Sequence, residues 1–249
     1  MTEYIIGIPS YRRADKQTTL EYLERIGVSK ERIVLSVQTE EDLKDYRKHG
    51  YEDRVLSLLY RPGTNASDNR NTILCWSPLG AKIVLLDDDI KGIGRLSNGK
   101  LHKIETAEEF EKFIRLGFGI AEKERTIGFT AYPVYNAFFM SRGYTRKNIG
   151  IGTLFAIINT GLRFSHDFST KEDYELSCRI IRQYGAFPRL NSFACDAAHY
   201  TKGGCEKDWS DKQKIIKTAR ILVGMYPDLL VLNKNKPGEV KMVKEKKQP

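Results

Sequence analysis

The sequence predicts an α/β protein built on a mostly parallel central sheet with helices on both faces. Three observations carry that prediction. Within residues 1–92, short apolar runs alternate with amphipathic ones in the order β-α-β-α-β-α-β. The apolar runs lack the in–out polarity of a half-exposed strand, which is the pattern of parallel strands covered on both faces. At 249 residues, 41% hydrophobic and 29% charged, the chain has the composition of a folded domain and the length to bury a real core.

The elements follow in order. "EYIIGIP" (3–9) reads as a strand, and "QTTLEYLERIG" (17–27) as a helix with Leu20, Leu23 and Ile26 on one side and Gly27 at its end. "ERIVLSVQ" is a second strand. "TEEDLKDYRKHG" is a second helix with acids early and bases late, as the helix dipole prefers. "RVLSLLYR" is a third strand, "PGTNASDN" (62–69) a polar turn, "RNTILCWSPLG" a helix and "KIVLL" (82–86) a fourth strand. Beyond Gly92, "GRLSNGKLHKI" reads as a hairpin turning at Asn98-Gly99. "AEEFEKFIRLGFGIAEKE" is a helix, "IGFTAYPVY" and "TLFAIIN" are strands, and "TKEDYELSCRIIRQYG" is a helix ending at Gly185. "AFPRLNSFACDAAHY" is extended, and "SDKQKIIKTARILVGMY" is the last helix. This organisation implies one domain over 1–232 and a basic, disordered tail over 233–249.

Composition narrows the function classes. No apolar run approaches the roughly 20 residues that span a bilayer, and "ARILVGMYPDLLVL" is broken by Pro227-Asp228. The N-terminus has no basic segment ahead of an apolar one, so the expected location is cytoplasmic. Cys75, Cys178, Cys195 and Cys205 show neither CxxC pairing nor zinc-ligand spacing and read as reduced thiols. Lys plus Arg exceed Asp plus Glu by 41 to 32, a net charge of +9, which suits a polyanionic partner such as nucleic acid or a generically basic surface.

The stretch "KIVLLDDDIKG" runs a strand straight into three aspartates. Open α/β sheets bind ligands at the carboxyl ends of their strands, and neighbouring carboxylates repel unless a cation joins them. If strand geometry continues, Asp87 and Asp89 point one way and Asp88 the other, with about 7 Å between the outer two Cα atoms. Oxygen-only ligands suit Mg²⁺ or Mn²⁺ carrying substrate phosphates. An acidic loop after a strand is the plain alternative.

A strand ending in Asp-x-Asp after an Arg/Asn-bearing helix resembles the GT-A glycosyltransferases, a Rossmann-like nucleotide-diphospho-sugar transferase fold. "ASDNRNTIL" followed by "IVLLDDDI" is similar to the family-2 pattern, and "IGIPSYRRADK" to its first strand and donor loop. The resemblance implies a nucleotide-sugar-binding half over 1–92 and an acceptor half over 93–232. It places Pro9, Ser10, Tyr11 and Arg12 near base and ribose and Arg70 near the nucleotide. Asp87 and Asp88 would lie at the diphosphate, with Asp87 and Asp89 on the metal. One departure is Gln38, which stands where the family usually carries an acid at the end of the second strand.

The second half supplies candidates for the chemistry. In "FSTKEDYELSCRII", Ser169 and Glu172 match an S-x-x-E capping box. Asp173, one residue on, is the candidate general base that inverting GT-A enzymes need on the acceptor side, its pKa lowered only slightly by the helix dipole. His199 reads either as a structural histidine or as a third metal ligand, which the family often places there. Gly203 and Gly204, in "TKGGC", can wrap a diphosphate with backbone amides or form a plain turn. His166 precedes the base helix and, with Glu172, would shape the acceptor pocket. "SRGYTRKNIG" interleaves Arg142, Arg146 and Lys147 with Tyr144, a pattern that holds phosphate and stacks on a base, or that forms an ordinary solvated loop.

The set "IPSYRR", "NASDNRN", "LLDDD", "SHDFSTKEDYELSCRI" and "HYTKGG" is most similar to the TET-associated glycosyltransferases of phages, over residues 3–230 in order. That resemblance implies transfer of a sugar, glucose first among them, from a UDP-sugar to 5-hydroxymethylcytosine or another hydroxymethylpyrimidine in DNA. It implies Mn²⁺ or Mg²⁺ as cofactor and the host cytoplasm as location if the gene is a phage's. The alternatives are a family-2 enzyme with a saccharide or protein acceptor, a nucleotidyltransferase, and a non-catalytic DNA-binding module. A nucleotidyltransferase would carry a Gly-rich signature after the first strand, and "IPSYRRADK" has no glycine there.

Overall fold

The computed structural model describes residues 4–197 and 211–243. The strands are β1 (Ile5–Pro9), β2 (Ile33–Val37), β3 (Ser57–Tyr60), β4 (Lys82–Leu86), β5 (Ile90–Ser97), β6 (Lys100–Lys103), β7 (Gly128–Tyr132), β8 (Tyr144–Thr145), β9 (Leu154–Ile158), β10 (Arg189–Ala197), β11 (Leu230–Leu232) and β12 (Val240–Met242). The helices are α1 (Thr18–Arg25), α2 (Glu40–Lys48), α3 (Ala66–Trp76), α4 (Ala107–Lys123), α5 (Glu172–Tyr184) and α6 (Lys212–Met225).

The main sheet has the order β3-β2-β1-β4-β9-β7-β10-β5-β6, with β8 added to β10. Strands β1 to β4 form the parallel run that the alternation predicts. Strand β9 enters antiparallel to β4, β7 antiparallel to β9 and β10 parallel to β7, so the direction of β1–β4 is also that of β7 and β10. Successive residues of each parallel strand serve opposite faces. Val84 and Leu86 of β4 join a core with α1, Tyr46 of α2 and α4, while Ile83 and Leu85 join another with α3 and α5. The expected two-sided cover is therefore in place, and it explains the uniformly apolar strands.

Local chemistry sets the element ends. Thr39, Asn65, Thr106 and Asp211 accept hydrogen bonds from backbone amides at the starts of α2, α3, α4 and α6. Asn65 starts α3 at Ala66, so the "ASDN" read as part of a turn is the helix's first turn, a correction with consequences for the site. The Asn98-Gly99 turn is as expected, both residues having positive φ (50° and 75°), as a two-residue type I′ hairpin requires.

The tail expected to be disordered is not so through residue 243. Strands β11 and β12 pair antiparallel, and buried Leu230 and Val240 pack with Phe168 and Cys178 and with Ala219 and Leu222 of α6. Lysine-rich composition concealed β12, whose Val240 and Met242 face a small core while Lys241 between them is exposed.

Two glycines of α4 separate packing from propensity. A Cβ on Gly117 would lie 2.2–2.4 Å from the Phe129 ring, while one on Gly119 would meet nothing within 4 Å. Gly117→Ala is expected to cost about 1–3 kcal/mol by overpacking, lowering Tm by roughly 2–12 °C. Gly119→Ala is expected to gain up to about 1 kcal/mol in helix propensity. Thermal melts of the two variants shifting in the same direction would contradict this packing.

Candidate active site

The aspartate triplet lies where β4 ends at Leu86 and the chain turns through residues 87–89 before re-entering the sheet at Ile90. Because the strand ends first, its alternation does not continue through the triplet. Asp87 Oδ1 pairs with Arg70 Nη2 at 2.9 Å. Asp88 and Asp89 instead share Arg13, whose Nη1 lies 2.9 Å from Asp88 Oδ1 and 3.5 Å from Asp89 Oδ2. Asp88 is the buried member. Ser10 Oγ donates to its Oδ2 at 2.5 Å, and Gln17 and the Tyr46 hydroxyl complete a network around that serine. Burial pushes the Asp88 carboxyl up to about 7, against the pull of Arg13 and Ser10.

Arg70 projects from the middle of α3 and joins the two halves of the chain. Its second guanidinium nitrogen pairs with Glu172, 102 residues away, and its side chain is 6% exposed. The guanidinium carbon lies 5.5 Å from the Phe164 ring centroid. Gly152 covers Nη2 so closely that an added Cβ would lie 2.1 Å from it. A residue with any side chain at 152 would displace the arginine.

This ion pair overturns the capping-box expectation. Lys171, at the cap of α5, has φ +66° and no side-chain cap, and Glu172 reaches Arg70 instead of returning to the cap amide. A buried charge-assisted pair outweighs a local cap. Asp173 accepts from Gly152 N at 2.7 Å through Oδ2 and from Tyr174 N at 2.8 Å through Oδ1. Its pKa is raised, not lowered. Burial dominates the helix amide and the nearby Arg70, and Glu172 is pushed up for the same reason.

The C-terminal hairpin braces this helix start. Lys171 is fully buried, with Nζ 3.4 Å from Glu239 Oε2 and 4.6 Å from the Tyr174 ring centroid. Tyr174 also donates to Glu239 at 3.4 Å. The segment read as a tail thus holds the turn that aims Glu172 and Asp173.

The other expected residues fall in several places. Pro9 ends β1, next to buried Ser10, whose carbonyl accepts from Asn69 Nδ2 at 2.9 Å. Arg12 (φ +53°) turns outward over the Tyr11 ring, 5.0 Å from its centroid, and its amide donates to Asp42. Gln38 donates to the carbonyl of Asn65 at 2.7 Å, fastening the end of β2 to the start of α3. His166 pairs with Asp68 at 2.8 Å, linking the loop before α5 to α3. Tyr144 and Arg146 are not a free loop. They belong to or follow β8 and both bind Glu124, at 2.6 and 2.7 Å, while Lys147 bridges to Phe187 and Arg142 stays exposed. His199, Gly203 and Gly204 lie outside the described residues.

Sequence reasoning missed Arg13, Gly152 and Lys171. Only the Arg12-Arg13 pair carried a signal, and the left-handed turn at Arg12 decides which of the two faces the aspartates.

The edge suits a divalent cation and a polar ligand. Asp87 and Asp89 offer hard oxygen donors, and the Asp87 side chain is 32% exposed. Arg13 Nε, Asn69 Oδ1 and Arg70 Nε are buried here without a hydrogen-bond partner among the described residues. Among the described residues no three His, Cys, Asp or Glu gather into a ready-made cage. A Mg²⁺-type ion, which keeps waters and takes phosphate oxygens, needs none.

No protein-family model matches the chain, and no curated protein does. Among solved structures it is similar to TarS residues 1–349 of Staphylococcus aureus, with 10% identity and a TM-score of 0.53, over 89% of this chain and 66% of that one. It is equally similar to the mannosyltransferase PcManGT of Pyrobaculum calidifontis, solved with GDP-Man and Mn²⁺, with 13% identity and a TM-score of 0.53, over 91% and 63%. The chain spans about two thirds of the length of these structures, and it has their GT-A glycosyltransferase fold.

Proposed function

We propose that the chain is a metal-dependent, nucleotide-sugar glycosyltransferase acting by inversion, with Asp173 as general base. The observation that carries this reading is the double ion pair of Arg70. It fixes Asp87, at the strand end where such folds hold a donor, beside Glu172 and Asp173 from the other half of the chain. Sugar transfer requires a donor site and a base placed so that the acceptor oxygen meets the anomeric carbon in line. The Mn²⁺ and GDP-Man in the mannosyltransferase of the same fold support a divalent cation and a sugar nucleotide here.

In this reading Asp87 and Asp89 hold the cation, which stabilises the negative charge of the departing diphosphate. Asp173 accepts the proton of the acceptor hydroxyl as its oxygen bonds to the anomeric carbon and the bond from that carbon to the nucleoside diphosphate breaks. A carboxylate whose pKa burial raises is, once ionised, a stronger base than a surface aspartate. The donor proposed is UDP-glucose and the acceptor a 5-hydroxymethylpyrimidine of DNA, in the cytoplasm. The motif resemblance and the net charge of +9 support that choice.

The deciding assay incubates the protein with Mn²⁺ and either UDP-glucose or GDP-mannose, on hydroxymethylated or ordinary DNA, and analyses the nucleosides by mass. A hexosylated hydroxymethylpyrimidine, formed only on modified DNA and lost with EDTA, is the expected result. Donor consumption without DNA product would redirect the acceptor to a saccharide or protein. A donor left intact with every acceptor would end the glycosyltransferase reading.

A further inference from the structure

We infer that the loop over residues 133–143 is a docking platform for unpaired bases of a DNA strand, an inference that rests on the DNA-acceptor reading above. The loop leaves β7 at the same edge as the aspartates. Thr130 pairs with Phe155, and Phe155 with Leu85, so β7 and β4 end level with one another, two strand spacings apart. That separation is about 10 Å.

The loop presents two aromatic rings. Phe138 is 86% and Phe139 55% exposed, with centroids 5.1 Å apart and planes at 87°. It is also held in shape. Phe138 N donates to Asn136 Oδ1 at 2.9 Å, Phe139 N to Asn136 O at 3.1 Å and Ser141 N to Asn191 O at 3.2 Å. Met140 is buried between these anchors, and Tyr135 sits against Gly94, where a Cβ would be 2.5 Å from its ring. Apolar packing is thus within reach of the loop, and its own hydrogen bonds keep the two rings out of it.

Charge identifies the occupant. The loop itself, residues 133–143, contains no Asp or Glu and carries Arg142, the neighbouring carboxylates being Asp196 beside Tyr135 and Glu124, which Arg146 neutralises. Arg142, exposed on the loop itself, has no ion-pair partner among the described residues. Exposed rings with a cation and no carboxylate match a polyanion whose bases have π-faces. A second copy of the chain would set its own exposed Arg142 against this one, with no carboxylate on either loop to answer it.

The test is fluorescence polarisation with a labelled single-stranded DNA of about 12 nucleotides, within the span of such sites. Phe138→Ala/Phe139→Ala should weaken binding about tenfold or more with an unchanged salt slope, because stacking releases no counterions. Phe138→Tyr should keep the affinity, and Arg142→Ala should lower the salt slope by about one. The proposal is overturned if the wild-type protein does not bind at low salt, or if the double variant binds as the wild type does. A concentration-dependent dimer dissolved by the double variant would also overturn it, in favour of self-association. Ring-dependent DNA binding without sugar transfer would leave the platform standing and defeat the activity. Transfer to DNA that survives the double variant with affinity intact would defeat the platform alone.

Discussion

Replacing Arg70 with methionine is expected to destabilise the protein by about 3–5 kcal/mol, the cost of stripping the partner from a buried ion pair. Asp87 and Glu172 both depend on this guanidinium, and Glu172 is 5% exposed. For a chain of this size the loss corresponds to a fall in Tm of roughly 6–20 °C. Arg70→Lys should fare better but not well. An ammonium is a point charge and does not span two carboxylates as a planar fork does.

Two further measurements tie the loss to the carboxylates. The added double variant Arg70→Met/Glu172→Gln removes the stranded charge and should recover part of the stability of Arg70→Met, giving a coupling energy of about 1–3 kcal/mol. The deficit of Arg70→Met should also shrink toward pH 5. Burial already pushes the Glu172 pKa up, and losing the arginine removes the main influence holding it down. The protonated acid is then favoured in the fold, and that stability is lost as pH rises through the raised pKa. A deficit that is constant from pH 5 to pH 8 and unaffected by Glu172→Gln would show that Arg70 acts through packing on Phe164 and Gly152 instead.

This ion pair also marks what the sequence reveals and what it hides. Apolar runs of four or five residues between helical patterns were enough to read β1–β4, because burial on both faces leaves little else for those strands to be. Asn98-Gly99 was readable because few residue pairs accept two positive φ angles. The halves meet through contacts that no local pattern encodes. "STKE" satisfies the spacing of a capping box, yet a guanidinium 102 residues away in sequence takes the glutamate. The aspartate triplet announced a charged site, but its pairing with Arg13 on one side and Arg70 on the other depends on where β4 stops. The direction of the Asp173 shift was misread for a related reason. Helix position is visible in sequence, and the burial that overrides it is not.

Asp173→Asn is expected to lower sugar transfer by about 10²–10⁴-fold, the usual share of a general base, with donor affinity unchanged. The amide accepts no proton at neutral pH, and its near-identical shape leaves the site otherwise filled. The substitution has a structural cost of its own. Asp173 uses one oxygen for Gly152 N and the other for Tyr174 N. An amide has a single acceptor oxygen, so one of these backbone donors loses its partner, at about 1–3 kcal/mol. The comparison therefore has to be run well below the variant's Tm and normalised to folded protein. Titration calorimetry with UDP-glucose and Mn²⁺ supplies the second readout, because Asp87 and the donor edge are untouched by the change. Lost transfer with intact donor binding assigns Asp173 to the acceptor side of the chemistry. Lost binding would mean that Asp173 serves by holding Gly152 against Arg70, and unaltered turnover would move the base elsewhere.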